Sequence, residues 1–359
     1  MPGTNGTAGL LAERLAAQLL SGPPAAGAPE VAGRLLAVQA QDPRGARLAV
    51  RARSAARSAA DVDRALTQDR SVVVTWLNRG TLHLVRAEDY WWLHPLTTPP
   101  LRTGNARRLA QEGIPPADAE RAVTVIERSL TTAGPLTRAQ LGERIAAAGV
   151  RTHGQALVHL LGLASIRGIA VRGPMAGRDH AYVLVRDWLG RPPARFDADR
   201  ALAELAARYL AGHGPAADRD LARWAGLPLG DARRGLAAIA GRLADRDDGL
   251  AALAGPRARY PLPPPRLLGA FDPVLLGWAS RDQVTGPHDR QVVTGGLFRA
   301  FAMVRGQAAG IWRLPGGKVE LVAFAPLPAG DAAALAADAA GVERYLAPVS
   351  GAGRRGSSG

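Results

Sequence analysis

The stretch that decides how this chain folds runs from Arg34 to Arg53, RLLAVQAQDPRGARLAVRAR, and its pivot is Gln39-Ala40-Gln41-Asp42-Pro43. Leu35, Leu36 and Val38 continue an apolar helical pattern that opens at Glu30, and Pro43 stops it. A proline ring crowds the residue before it out of helical geometry, so Gln41 and Asp42 are expected to leave the helix in an extended path. Residues two apart share a face in extended backbone but point to nearly opposite sides in a helix. Gln39 and Gln41 can therefore converge on one small target. Asp42 carries the short acceptor side chain of an N-cap, and Pro43 suits the first helical position, where its missing N–H is not needed. The helix that follows is expected over 42–56 and places Arg44, Arg47 and Arg51 at spacings of three and four, one charged stripe. Two carboxamides thus stand at the root of a cationic helix. Glutamines at such a junction more often cap a helix or bond backbone than do chemistry, and an arginine stripe is more often a solvated face. From these residues alone both alternatives stay open.

The overall charge favours a functional role for them. The 359 residues hold 45 basic and 31 acidic side chains, a formal charge of +14, and the pI is near 11.3. That balance points to a polyanionic partner, nucleic acid first. Lys318 is the only lysine, and arginine's planar fork is the better ligand for phosphate and guanine. With no cysteine, disulfides, thiolate nucleophiles and Cys-ligated zinc are excluded. The start, MPGTNGTAGLLAERLAAQLL, lacks a basic leader and is broken by Glu13, Arg14 and Gln18, so it reads as an amphipathic helix and not a signal peptide. No apolar run is long enough to span a bilayer. The expectation is a cytoplasmic, nucleoid-associated monomer that binds no membrane.

Helical patterns over 9–21, 30–38, 42–56 and 61–68 give way to β-formers at Val72 to Leu77, a turn at Asn78-Arg79-Gly80, and a second strand at Thr81 to Val85. Helices followed by a hairpin outline a winged helix. A helix near 88–93 is expected to end at Pro95, and a loop with Pro99 and Pro100 marks a boundary. The same order recurs with helices over 117–130, 136–148 and 154–163, then strands at 166–171 and 181–185. Leu77-Asn78-Arg79-Gly80-Thr81-Leu82 echoes Ser165-Ile166-Arg167-Gly168-Ile169-Ala170, and such self-similarity argues for stacked modules. A third copy follows Pro192-Pro193, with helices over 199–211, 217–224 and 229–240, the last carrying Arg233 and Arg234, and a degenerate wing near 247–249. After the proline cluster at Tyr260 to Pro265, strands at 297–304, 308–314 and 318–324 make a meander. The fold class is thus mainly α with β wings: three tandem winged-helix modules over 1–98, 99–192 and 193–350, the last with the meander. A basic concave channel in a C-shaped body and a disordered tail over 351–359 complete the expectation.

No glycine loop fits a phosphate cradle, and no His or carboxylate cluster has metal-ligand spacing, so a metal nuclease or zinc deaminase is disfavoured and no metal or cofactor is expected. His83, on a strand, is read as a packed residue. Patterns alone stop at a multi-module nucleic-acid binder.

Four segments carry more: Leu36 to Arg44, Arg79 to Val85, Phe271 to Trp278, and Gly310-Ile311-Trp312-Arg313. Together they resemble the AlkZ-like triple winged-helix DNA glycosylases, a family known for unhooking azinomycin B interstrand crosslinks, and the similarity covers nearly the whole chain. The resemblance implies that Gln39 and Gln41 act at the glycosidic bond of an N7-alkylated purine in double-stranded DNA, as a monofunctional glycosylase of DNA repair and antibiotic self-resistance. Glutamine at 41, where another subgroup of the family has aspartate, implies the narrower crosslink-directed type. Arg44, Arg47, Arg51, Arg79, Arg233 and Arg313 are the expected phosphate contacts. A winged-helix transcription regulator without catalysis accounts for the three modules and the charge equally well.

Overall fold

A computed structural model describes residues 4–255 and 261–348. The chain opens with α1 (Thr4–Ala17) and α2 (Ala28–Leu35), then a two-residue strand β1 (Val38–Gln39), α3 (Pro43–Arg51) and α4 (Ala59–Thr67). The hairpin β2 (Val72–Leu77) and β3 (Thr81–Arg86) turns on Asn78 and Gly80, both at positive φ. Next come α5 (Tyr90–Thr97), α6 (Leu101–Gln111), α7 (Pro116–Ala133), β4 (Leu136–Thr137), α8 (Arg138–Ala147), α9 (Ala156–Ile166), β5 (Ala170–Ala176), β6 (Asp179–Leu184) and α10 (Val185–Trp188). The last part holds α11 (Ala198–His213), α12 (Asp218–Ala225), α13 (Leu229–Ala238), β7 (Arg266–Leu268), α14 (Asp282–Thr285) and α15 (Asp289–Val292). It ends in β8 (Val293–Thr294), β9 (Leu297–Phe298), β10 (Phe301–Val304), β11 (Gln307–Arg313), β12 (Glu320–Ala323) and α16 (Ala329–Leu346). The mainly helical class with β hairpins is as expected, and the expected meander is present as β10 to β12, extended by β7 to the order β12-β11-β10-β7. The expected tail over 351–359 lies outside the described residues.

Long-range pairing ties together stretches that the sequence reading placed in successive stacked modules. Both N-terminal hairpins share one sheet of order β1-β3-β2-β5-β6-β4, joined where Val74 on β2 meets Arg172 on β5. The sequence echo is not structurally equivalent: Arg79-Gly80 turns a hairpin, whereas Arg167-Gly168 links α9 to β5. The region near 247–249 contributes only isolated bridges, Ala216 with Ala251 and Leu243 with Leu253. α5 carries Pro95 inside it and does not stop there, whereas the expected proline loop is present as the turn over 98–100 that separates α5 from α6.

Two packing events aim the pivot segment. Leu36 closes α2 at φ +65°, a conformation an L-residue adopts only under constraint, and this turns the chain out of the helix so that β1 can pair with β3. α3 is then buried along Gly45 to Val50, and α16, a helix missed in the sequence, covers it through Tyr345, whose hydroxyl donates to the Arg47 carbonyl at 3.0 Å. The helix therefore has no solvated face wide enough for an arginine stripe.

Candidate active site

β1 places Gln39 opposite His83 of β3, and Ala40 N–H donates to the Leu82 carbonyl at 2.7 Å, so the chain has left the helix and runs extended over Val38–Gln39 before bending at Gln41. Asp42 is the N-cap of α3, at φ −102° and ψ 111°, and accepts from Arg44 N–H at 3.0 Å with Pro43 behind it. Gln39 and Gln41 both line one cleft of about 220 Å³. Gln39 is nearly buried, at 6% exposure, and Gln41 is exposed.

The opposite wall comes from residues 271–278, where Phe271, Leu275 and Trp278 face the glutamines, and from Phe298 on β9, whose ring centroid lies 5.3 Å from that of Phe271. Two features press this wall against the pivot. Gly45, on the first turn of α3, packs so closely that a Cβ there would fall 2.2 Å from the Ala270 carbonyl oxygen. Deeper in, Arg53 forks onto Asp272 at 2.7 and 2.9 Å, and neither side chain has any exposure. The remaining guanidinium N–H groups donate to the Gln18 carbonyl, Gln18 Oε1 and the Ala49 carbonyl. A buried charge is tolerated only when paired and hydrogen-bonded on every side in this way.

Arg79, from the β2–β3 turn, enters the cleft edge. Its Nη2 donates to Gln39 Oε1 at 3.3 Å, and its Nη1 donates to the carbonyl of Trp224 at the C-terminal end of α12. Burial, with the Arg223 cation beside it, pulls the guanidinium down to about 10. His83 lies beneath Gln39, 2% exposed, and its Nδ1 donates to the Thr81 carbonyl at 3.0 Å. Burial and the neighbouring Arg79 cation push it down to about 3, so it is a neutral packed residue, as expected. The lining of the cleft contains no His, Asp or Glu. Among the described residues no group of three metal-ligating side chains occurs, and no helix is long and apolar enough to cross a membrane.

The six candidate arginines are not brought together. Arg44 is exposed beside the cap. Arg47 is buried, its Nε donating to Asp63 at 2.9 Å and its Nη1 to the Pro43 carbonyl. Arg51 is held by Asp338 of α16 at 2.8 Å. These two brace the fold, which corrects their reading as members of a solvated stripe. Arg233 and Arg313 are exposed and paired with Asp218 and Glu320 at the surface. Sequence reasoning missed Thr81, Arg223 and Phe298 in the cleft. It also missed a larger cleft of about 690 Å³ that shares Gln41 and Arg79 and adds Arg108, Arg138 and Arg172 with no carboxylate in its lining. Phe271 and Trp278 stand in a segment singled out by resemblance but were given no role.

A family model described as DNA glycosylase AlkZ-like matches residues 32–345. An interstrand DNA cross-link repair glycosylase of Streptomyces sahachiroi is 29% identical over 322 residues, covering 80% of this chain and 82% of its own. Among solved structures, the Streptomyces sahachiroi DNA glycosylase AlkZ superposes with a TM-score of 0.75 at 25% identity, over 94% of this chain and 96% of that one. At such identities the chain is a relative of these proteins and not one of them.

Proposed function

The chain belongs to the family of AlkZ-like DNA glycosylases, and from that premise we propose that it hydrolyses the N-glycosidic bond of N7-alkylated purines in duplex DNA, azinomycin-type interstrand crosslinks included. The observation that carries this is a cleft lined by both glutamines and by no His, Asp or Glu. Alkylation at N7 gives the purine a fixed positive charge, so the base departs neutral and needs no proton. What remains is to hold a water and to accommodate an oxocarbenium-like sugar, which is work for preplaced hydrogen-bonding groups.

The two amides take different parts. Gln39 Oε1 is occupied by Arg79, which leaves its Nε2 to donate to the oxygen of the water. Gln41 has no partner in the protein, so its Oε1 is free to accept one of the water's hydrogens. The water oxygen attacks C1′, the C1′–N9 electron pair returns to the purine and cancels its charge, and the surplus proton passes to solvent. The chain's single lysine, Lys318, is absent from the cleft and bonds Glu343 at the surface. Among the described residues no lysine amine therefore lines the cleft to form a Schiff base with the sugar, which supports a monofunctional hydrolase.

Arg44, Arg233 and Arg313 remain candidates for phosphate contact, since surface ion pairs are worth only about 0–1 kcal/mol and exchange readily for a phosphate. The larger cleft with Arg108, Arg138 and Arg172 suits a duplex backbone held without full extrusion of a tethered base. Three winged-helix modules around a basic concave channel, acting as a monomer on nucleoid DNA in antibiotic self-resistance, complete the proposal. The test is incubation with duplex DNA bearing N7-methylguanine or an azinomycin crosslink, followed by alkaline cleavage. Strand breaks at the lesion are expected. Tight binding without breaks would favour a non-catalytic regulator.

A further inference from the structure

Arg79 was expected to grip phosphate, yet the structure puts its guanidinium to another use. It lies between Gln39 Oε1 at 3.3 Å on one side and, on the other, the carbonyls of Trp224 and Arg223 near the end of α12, the latter at 3.5 Å. No carboxylate pairs with it. The cation is instead accommodated by the negative end of the α12 dipole, where backbone carbonyls have no intrahelical donor. The fit is tight on both sides: Gly226, the left-handed cap of α12, would bring a Cβ to 3.0 Å from the backbone carbon of Asn78 in the hairpin turn.

An amide side chain can face either way, and only its partners decide which end is the donor. A guanidinium has donors alone. Its contact with Gln39 therefore fixes oxygen toward Arg79 and Nε2 toward the cleft, where no acceptor of the protein meets it. Without Arg79, no hydrogen-bond partner in the protein selects between the two faces of the Gln39 amide, and the flipped orientation presents the wrong end to the water.

We propose that Arg79 is a positioning residue that sets the amide orientation of Gln39, and that α12, through its C-terminal carbonyls, holds Arg79 for that task. The inference rests on Gln39 acting at the reacting water. It ties a helix nearly two hundred residues downstream of the glutamines to their chemistry.

The test is single-turnover excision of N7-methylguanine from duplex DNA, with DNA affinity measured separately across a salt series. Arg79→Met is expected to slow the excision step about tenfold to a hundredfold, the worth of a charge-assisted hydrogen bond, with affinity and salt slope unchanged. Arg79→Lys keeps one donor but not the fork, and is expected to restore part of the rate. In a Gln39→Ala background, Arg79→Met is expected to add no further loss, because the group it orients is gone. A weaker affinity and a salt slope reduced by about one would overturn the proposal and return Arg79 to phosphate binding. A full additional loss in the Gln39→Ala background would overturn it as well, by making Arg79 a general structural support. If Gln39→Ala is too slow to follow, the rate-against-affinity split in Arg79→Met decides alone. Wild-type excision by Gln39→Ala would instead sink the role of the glutamine itself, a result distinct from either failure of Arg79.

Discussion

Removing the Asp272 carboxylate tests whether the buried ion pair behind the cleft holds its wall in place. Asp272→Ala leaves the Arg53 guanidinium, with no exposed surface, without its counter-ion, and also deprives Val274 N–H of its acceptor at 3.0 Å. Breaking one partner of a buried pair costs about 3–5 kcal/mol, because the remaining charge can neither find water nor shed its proton. For 359 residues, with an unfolding entropy of about 2.1 cal/mol/K per residue, that cost lowers the melting temperature by about 4–7 °C if the chain unfolds as one unit. Scanning calorimetry or circular dichroism reads the shift. Excision at a temperature where the variant is still folded is expected to fall as well, since residues 271–278 line the cleft with the glutamines. The double variant Arg53→Met with Asp272→Leu is expected to recover most of the stability, as apolar replacements of buried pairs commonly do. A shift below about 1 °C for Asp272→Ala, against the cost expected of a broken buried pair, would refute the reasoning.

Three further outcomes are expected. Because the cleft lining has no His, Asp or Glu and the leaving base is already cationic, the single-turnover excision rate, corrected for spontaneous depurination, is expected to be flat between about pH 6 and pH 9; a limb with a midpoint in that window would implicate a titrating catalyst. Gly45→Ala forces a Cβ to 2.2 Å from the Ala270 oxygen, so it is expected to cost about 1–3 kcal/mol in a denaturant titration and to slow excision, whereas Gly330→Ala, with nothing near its Cβ, is expected to do neither. His83 and His213 are pushed down to about 3 and His94 to about 4, each chiefly by burial. The unfolded chain therefore binds more protons below the ordinary histidine value, and stability measured by thermal melts is expected to be intact above about pH 6.5 and to decline as pH falls below it; equal melting temperatures at pH 5 and pH 7 would contradict that.

How much of this was legible depended on the range of the forces involved. The extended backbone at Gln39 and at Asp42 and the cap at Asp42 could be read because proline and N-cap chemistry act within a few residues. β1 could not: two residues carry no period, and the strand exists only because β3, more than forty residues on, offers an edge. The arginine stripe failed for a related reason. Spacing shows which residues share a helix face but not what covers it, and α16, an alanine-rich helix with few large apolar residues to mark a face, lies nearly three hundred residues away. The joining of two hairpins into one sheet, and the approach of residues 271–278 to the glutamines, are likewise settled by tertiary packing. The resemblance could not say that three of its four segments, around Gln39, Arg79 and Phe271, meet at one cleft while Gly310–Arg313 stays out of its lining.

The central claim is that two neutral carboxamides guide the water. It is tested most directly by single-turnover release of N7-methylguanine from duplex DNA by the wild-type protein and by Gln41→Ala at matched, saturating DNA occupancy. Loss of one preplaced polar contact to the reacting water predicts a rate lower by about a hundredfold or more, with DNA affinity within about twofold. Excision at the wild-type rate by Gln41→Ala would contradict the account.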